Sequence, residues 1–254
     1  MGAEEDGRQA RQNVWMRPER ASRGPRPGFS RAQMTEVAIR VADAEGLEAI
    51  SMRRIAAEIG SGTMSLYRYI SGKDDLIDLM VDAVAVEYVP SEESLTGGWR
   101  TDLRGLAVHT RAAMLRHPWT APLSVARHNS GPNGIASMEK ALRMVDGLGL
   151  SIDGMMTVIG AVAAYVSGFV QAELAQAEAL RRSGLTLAEW MAGQLPFIQS
   201  VIAGGDYPLF TRMISEGGQD LVDSEDRFAY GLDRLLDGIA ARLPASGGPP
   251  SGLA

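Results

Sequence analysis

Residues 51–76, SMRRIAAEIGSGTMSLYRYISGKDDL, decide how this chain is to be read. Ser51 is a helix N-cap, and Ile55, Ala56 and Ile59 form the inner face of a short helix that stops at Gly60. A second short helix is expected from about Thr63 to Ile70, and Ser71 with Asp74 opens a longer one through Leu76, Met80 and Val84 that ends before Pro90. The spacing is that of a helix-turn-helix. Ala56 is small where the second helix crosses, and Gly60 supplies the positive φ of the turn. Ile55, Ile59, Leu66 and Ile70 make the shared seam. Thr63, Met64, Ser65, Tyr67, Arg68 and Tyr69 are left on the outward side and ends of the second helix, where short polar and cationic side chains can enter a major groove. Tyr67 has an alternative place, its ring over the seam with its hydroxyl reaching out.

Upstream, Ser30 and Gln33 make a capping box, with Phe29 and Met34 placed as a hydrophobic staple, so a helix starts here and ends at Gly46. Residues 1–29 lack apolar periodicity, carry Pro-Gly breakers and read as a disordered basic arm. Its Arg17, Arg20, Arg23 and Arg26 suit a minor groove or phosphates as well as plain solvent. Downstream, helical patterns resume at Trp99 and break around His117-Pro118. They continue through Met138, Leu142 and Val145, and then in the longest helix, capped by Asp153 and reaching about Leu180. Residues 183–196 read as a short helix and a break, Asp223 or Ser224 opens a last helix to Leu243, and 244–254 is a flexible tail. No alternating period occurs, so the fold class is all-α: an N-terminal three-helix helix-turn-helix domain over 30–76 and a larger helical domain over 77–243, to which the family resemblance given below assigns ligand binding and dimerisation.

Charge agrees with this division. The net charge of −6 covers a front segment, Arg8–Lys73, with twelve basic and six acidic residues, and a remainder from Asp74 with thirteen basic and twenty-two acidic. A basic module on an acidic body fits a nucleic-acid reader with a regulatory domain. The chain has no cysteine, no apolar leader and no uninterrupted apolar run of membrane-spanning length, so a cytoplasmic protein with no membrane partner is expected. The three histidines, 109, 117 and 128, form no catalytic or zinc motif, and no phosphate-binding or dinucleotide fingerprint occurs. No catalytic residue, metal site or cofactor is therefore assigned. The competing class is an all-α protein-interaction adaptor without operator binding, which leaves the basic front unexplained.

SMRRIAAEIG followed by LYRYISGKDDLIDLM resembles the TetR family of one-component transcriptional regulators, whose pattern here is G-V-S-x-G-T-L-Y-x-H-F-x-x-K-x-x-L. Leu66, Tyr67, Lys73 and Leu76 match it; Ser65, Tyr69 and Ile70 are close substitutes, while Ser61, Gly62 and Met64 depart. The stretch from Trp99 through the long helix to FAYGLDRLLDGI is similar to the C-terminal domain of the tetracycline-repressor subgroup. The resemblance implies that Arg53 lies near phosphate or a base and that Lys73 meets backbone phosphate, with Thr63, Met64, Ser65, Tyr67, Arg68 and Tyr69 facing the groove. Of Arg53 and Arg54, one is expected merely to face solvent. It further implies a homodimer on a palindromic operator, released by a small-molecule effector and in most members a repressor, although activators occur.

A dimer surface is offered by small residues of the long helix, Ala164 and Gly168 among them, and by Phe228, Leu232 and Leu235 of the last helix. An adaptable effector cavity is offered by Met114, Met144 and Met155 with Trp119, Tyr165 and Phe169, joined by His117. Leu106 and Thr110 stand where tetracycline repressors grip the drug with polar and aromatic groups, and Val89 replaces a histidine ligand, so tetracycline itself is not the expected effector.

Overall fold

The computed structural model describes residues 13–17, 28–123, 131–216 and 223–244. Among these the chain forms ten α-helices and no β-strand, in two compact units, Met1–Met144 and Val145–Ala254. The first contains α1 (Arg31–Glu45), α2 (Met52–Ile59), α3 (Thr63–Leu66), α4 (Lys73–Ala85), α5 (Trp99–Arg116) and all but the last residue of α6 (Pro132–Val145). The second contains α7 (Ile152–Ser183), α8 (Leu187–Ala203), α9 (Pro208–Glu216) and α10 (Ser224–Ala240).

The capping box at α1 is formed: Ser30 Oγ accepts from Gln33 N at 3.2 Å, and Gln33 Oε1 from Ser30 N at 2.8 Å. Met34, Ala38, Ile55, Leu66, Ile70, Leu76 and Met80 are at most 2% exposed and make one core shared by α1–α4. At α4 the structure departs from the expected Ser71 cap. Gly72 occupies the N-cap without a side-chain bond, and Asp75 reaches back instead, its Oδ2 accepting from Ser71 N at 2.6 Å.

That carboxylate is buried and shared with a segment that sequence reasoning assigned to a disordered arm. Residues 14–16 form a single 3₁₀ turn capped by Asn13, with Val14 2% exposed inside the α1–α4 core. Arg17 Nη1 donates to Asp75 Oδ2 at 2.7 Å and to Ser71 Oγ, and its carbonyl accepts from Arg31 Nη1 at 3.0 Å. One apolar residue and one ion pair with a buried carboxylate are enough to fix five residues. The remaining arm positions, Arg20, Arg23 and Arg26 included, lie outside the described residues, as does 245–254 of the tail. Trp15 and Asp82 close over Gly131, where a β-carbon would stand 2.5 Å from Trp15 Cζ2 and 2.2 Å from Asp82 Oδ1, so only glycine fits. Arg17→Ala removes the cation from Asp75 and is expected to lower unfolding free energy by about 2 kcal/mol, read from urea melts of the full chain.

In the second unit Ser151, rather than Asp153, caps α7, its Oγ accepting from Gly154 N at 3.2 Å. The helix runs unbroken through Gly160, Ser167 and Gly168 for 32 residues, and is long and apolar enough to cross a membrane by length and composition. Its buried residues Ile159, Val162, Val166 and Val170 recur at helical spacing, however, and α7 packs on α10, as a core helix does. The break expected near residue 196 is absent. A capping box between Thr186 and Glu189 starts α8, which continues past Pro196 to Ala203. No residue of α8 or α9 is buried.

Candidate nucleic-acid interface and effector region

The reading surface is built by the stop between α2 and α3. Gly60 adopts φ +73°, ψ 34°, with its N–H bonded to Ala57 O at 3.1 Å and Ser61 N to Ala56 O at 2.9 Å, the paired bonds of a Schellman stop. The chain then turns into α3, whose Leu66 is fully buried and whose N-cap, Gly62, contributes no side-chain bond. Turning Leu66 inward turns the residues off its side outward. Met64 is 79% exposed and Tyr67 46%, Arg68 is exposed, and Thr63 and Ser65 are half-buried.

Tyr69 is not part of this surface. At three positions after Leu66 it shares the inward face; it is 7% exposed, stacks on Phe29 at 5.1 Å between ring centroids, and donates its hydroxyl to Phe29 O at 3.2 Å. Lys73 is half-buried and its Nζ donates to Leu47 O at 3.3 Å, which directs the ammonium to the turn between α1 and α2. The two adjacent arginines part company. Arg54 is clamped by Glu45 at 2.7 and 3.0 Å and by Glu58 at 2.9 Å, and the hydrogen bonds to Glu45 first, then Glu58, raise its pKa above the ordinary value. Arg53 is exposed and, among the described residues, bonds to nothing.

Residues expected around an effector are placed differently from one another. His117, 6% exposed, sets Nδ1 at 2.8 Å from Asp43 Oδ1 and Nε2 at 3.4 Å from Glu87 Oε1, and Trp119 Nε1 donates to the same Asp43 oxygen at 2.7 Å. Both are thus committed to α1 and the end of α4 rather than turned into a cavity. Thr110 Oγ1 donates to Tyr88 O at 3.1 Å, while Leu106, Met114, Met144 and Met155 are buried. Tyr165 and Phe169 stack with Phe228 at 5.5 and 5.2 Å, and Tyr165 donates its hydroxyl to Phe228 O at 2.8 Å. None of these nine residues lines either cavity described within a unit. In the first unit a space of about 380 Å³ lies among Val89, His109, Arg116 and Lys140; in the second, a cleft of about 830 Å³ lies among Leu150, Val158, Leu235, Ile239 and Leu243.

The expected dimer residues also divide. Ala164 and Gly168 are exposed on α7 and Leu235 is half-buried at the cleft, but Phe228 and Leu232 are 3% and 0% exposed, packed on α7 of their own chain. They belong to the core. Sequence reasoning missed Asp43, whose signal was weak: one acidic residue near the end of an amphipathic helix, without a partner in sequence.

Comparison with known proteins follows this geometry closely. The family model described as "Bacterial regulatory proteins, tetR family" matches residues 34–80, and that described as "Tetracyclin repressor-like, C-terminal domain" matches residues 90–243. The HTH-type transcriptional repressor DrrR1 of Streptomyces coeruleorubidus is 41% identical over 89% of this chain and 83% of its own length. An HTH-type transcriptional regulator of Saccharopolyspora erythraea is 33% identical over 90% and 91%. Among solved structures, Streptomyces coelicolor ActR in complex with actinorhodin superposes with a TM-score of 0.69 at 27% identity, covering 86% of this chain and 99% of that one.

Proposed function

Because the chain belongs to the TetR family of transcriptional regulators, we propose that it works as a homodimeric repressor that holds a palindromic operator and leaves it when a small molecule binds the C-terminal helices. The observation that carries the reading is the division of labour in residues 53–73. Arg53, Met64, Tyr67 and Arg68 are presented to solvent, while Arg54, Tyr69 and Lys73 are engaged within the fold. A surface that spares cations and a phenol from intramolecular partners suits phosphates and base edges.

Two heads are needed to read a useful length of DNA, set about one helical turn, ~34–36 Å, apart. Support for a second copy comes from α8, α9 and their flanks, where eleven large apolar side chains, including Trp190, Phe197 and Phe210, are exposed. A stable interface covers roughly 800 Å² per partner, and side chains of this size in that number supply it. A partner protomer is the occupant that the exposed Ala164 and Gly168 and the half-buried Leu235 also suit.

ActR has been solved with actinorhodin, and a bound small molecule in a relative of this fold supports an effector here. The lever we assign to it is the turn at residues 117–120, tied to α1 through Asp43 and to the end of α4 through Glu87. An effector that favours another position of this turn shifts α4, and with it the reading surface; by linkage the operator weakens effector binding equally.

The test is binding of the full-length protein to duplexes from the DNA upstream of its own gene, measured between 50 and 200 mM salt as roughly the range over which phosphate contacts are lost. Expected are a steep fall in affinity with salt and loss of binding in Arg53→Ala and Tyr67→Ala. Binding that ignores salt, or survives both changes, overturns the reading.

A further inference from the structure

We propose that Met64 reads the 5-methyl group of a thymine in each operator half-site. The inference rests on the DNA-binding reading above and gives it a chemical letter. Met64 is 79% exposed, and no other large apolar side chain among the described residues is exposed as much. It does nothing for the core, since Leu66 and Ile70 are the residues of its segment that are buried there. An apolar side chain in that position gains nothing from water; it gains when a surface of matching chemistry covers it.

Its neighbours say what that surface is. Met64 shares the exposed surface of this segment with residues 67 and 68, in the turn that ends α3, and these are the exposed phenol of Tyr67 and the exposed guanidinium of Arg68. A thioether between groups that suit phosphate and guanine faces a base edge rather than a protein groove. On the major-groove edges of the four base pairs every recognition group is a hydrogen-bond donor or acceptor except one, the thymine methyl. Methionine carries no donor and only a weak acceptor, so the methyl is the one feature it can distinguish. Its long, polarizable side chain also follows a contact that a branched residue would miss.

The segment is held well enough for this. The Schellman stop at Gly60 fixes where α3 begins, and Tyr69, bonded to Phe29 O through its hydroxyl and to Arg31 Nε through its carbonyl, fixes where it ends. Met64 and Arg68 are four residues apart across the end of α3, ~6–8 Å at the rise of an α- or 3₁₀-turn, close to two base steps of ~3.4 Å. The thymine therefore falls within about two base pairs of the group that Arg68 contacts.

The probe is the duplex that the wild-type protein selects from a random-sequence pool, with each thymine replaced in turn by deoxyuridine, which lacks only the methyl. For wild type, one symmetric pair of positions is expected to weaken binding about fourfold when one half-site is changed and about fifteenfold when both are, from the methyl's transfer free energy. Met64→Ala is expected to bind the thymine and deoxyuridine duplexes equally, and Met64→Leu, which still offers an apolar tip, to retain part of the discrimination. Circular dichroism melts establish that both variants are folded. If every position that responds in wild type responds equally in Met64→Ala, or none responds in wild type, the inference is overturned while operator binding stands. If wild type selects no duplex at all, the DNA-binding reading fails first.

Discussion

Arg68→Glu is expected to weaken operator binding a hundredfold or more while the melting temperature stays within about 2 °C of wild type. Arg68 is exposed, and no hydrogen bond or ion pair ties it among the described residues. Substituting such a residue changes stability by about 0.5 kcal/mol or less. A lost guanidinium contact costs roughly 1–3 kcal/mol, and reversal adds repulsion from phosphate, at both heads of the dimer proposed above. About 2.7 kcal/mol already makes a hundredfold. Arg54→Glu serves as the counter-case. It would set three carboxylates together with Glu45 and Glu58, so melting temperature and binding should fall together. Fluorescence anisotropy with a labelled operator and calorimetry on the same preparations separate the two. Near-normal affinity in Arg68→Glu would mean that the reading surface lies elsewhere.

Leu232→Asp is expected to abolish cooperative melting of the second unit. Leu232 is fully buried on α10, one turn on from Phe228, whose ring packs with Tyr165 and Phe169, an apolar setting for a carboxylate. An unpaired charge or its neutral acid in such a place costs beyond about 4 kcal/mol, most of what a domain has. Leu235→Asp, three residues away, should behave differently. Leu235 is half-buried at the 830 Å³ cleft, so the helix is expected to keep its circular dichroism signal while light scattering shows the proposed dimer dissociating. Were Leu235→Asp to unfold the chain as Leu232→Asp does, the cleft would be core and not a surface for a second copy.

These two pairs show which parts of the molecule were legible in the sequence. Local grammar was. The capping box at Ser30, the positive φ of Gly60 and the Asp223 start of α10 each depend on residues within four or five positions, and each is found where spacing places it. Which way a side chain faces was harder when two neighbours compete. Arg53 and Arg54 are chemically identical, and Glu45, nine residues away, together with Glu58 decides which is clamped. Tyr69 was assigned to the groove because it resembles a groove-facing residue in kind, yet the helical period from Leu66 puts it inside. Phe228 and Leu232 erred in the other direction: a helical stripe reveals that a face is buried without revealing whether its own chain or another covers it. Contacts between distant residues were invisible. Nothing near Asp43 announces His117, and nothing near Arg17 announces Asp75.

That last contact sets an order of events during synthesis. Val14 and Arg17 leave the ribosome before α4 does, but the core that takes Val14 and the carboxylate that takes Arg17 include residues of α4, with Asp75 58 positions after Arg17. At about 5–20 residues per second the wait is roughly 3–12 s. The reading head is therefore closed last by residues that precede all four of its helices, a long-range closure that comes late because chain entropy opposes it until local helices have formed. A nascent chain interrupted before α4 carries Arg53, Met64, Tyr67 and Arg68 but lacks the carboxylate that holds Arg17.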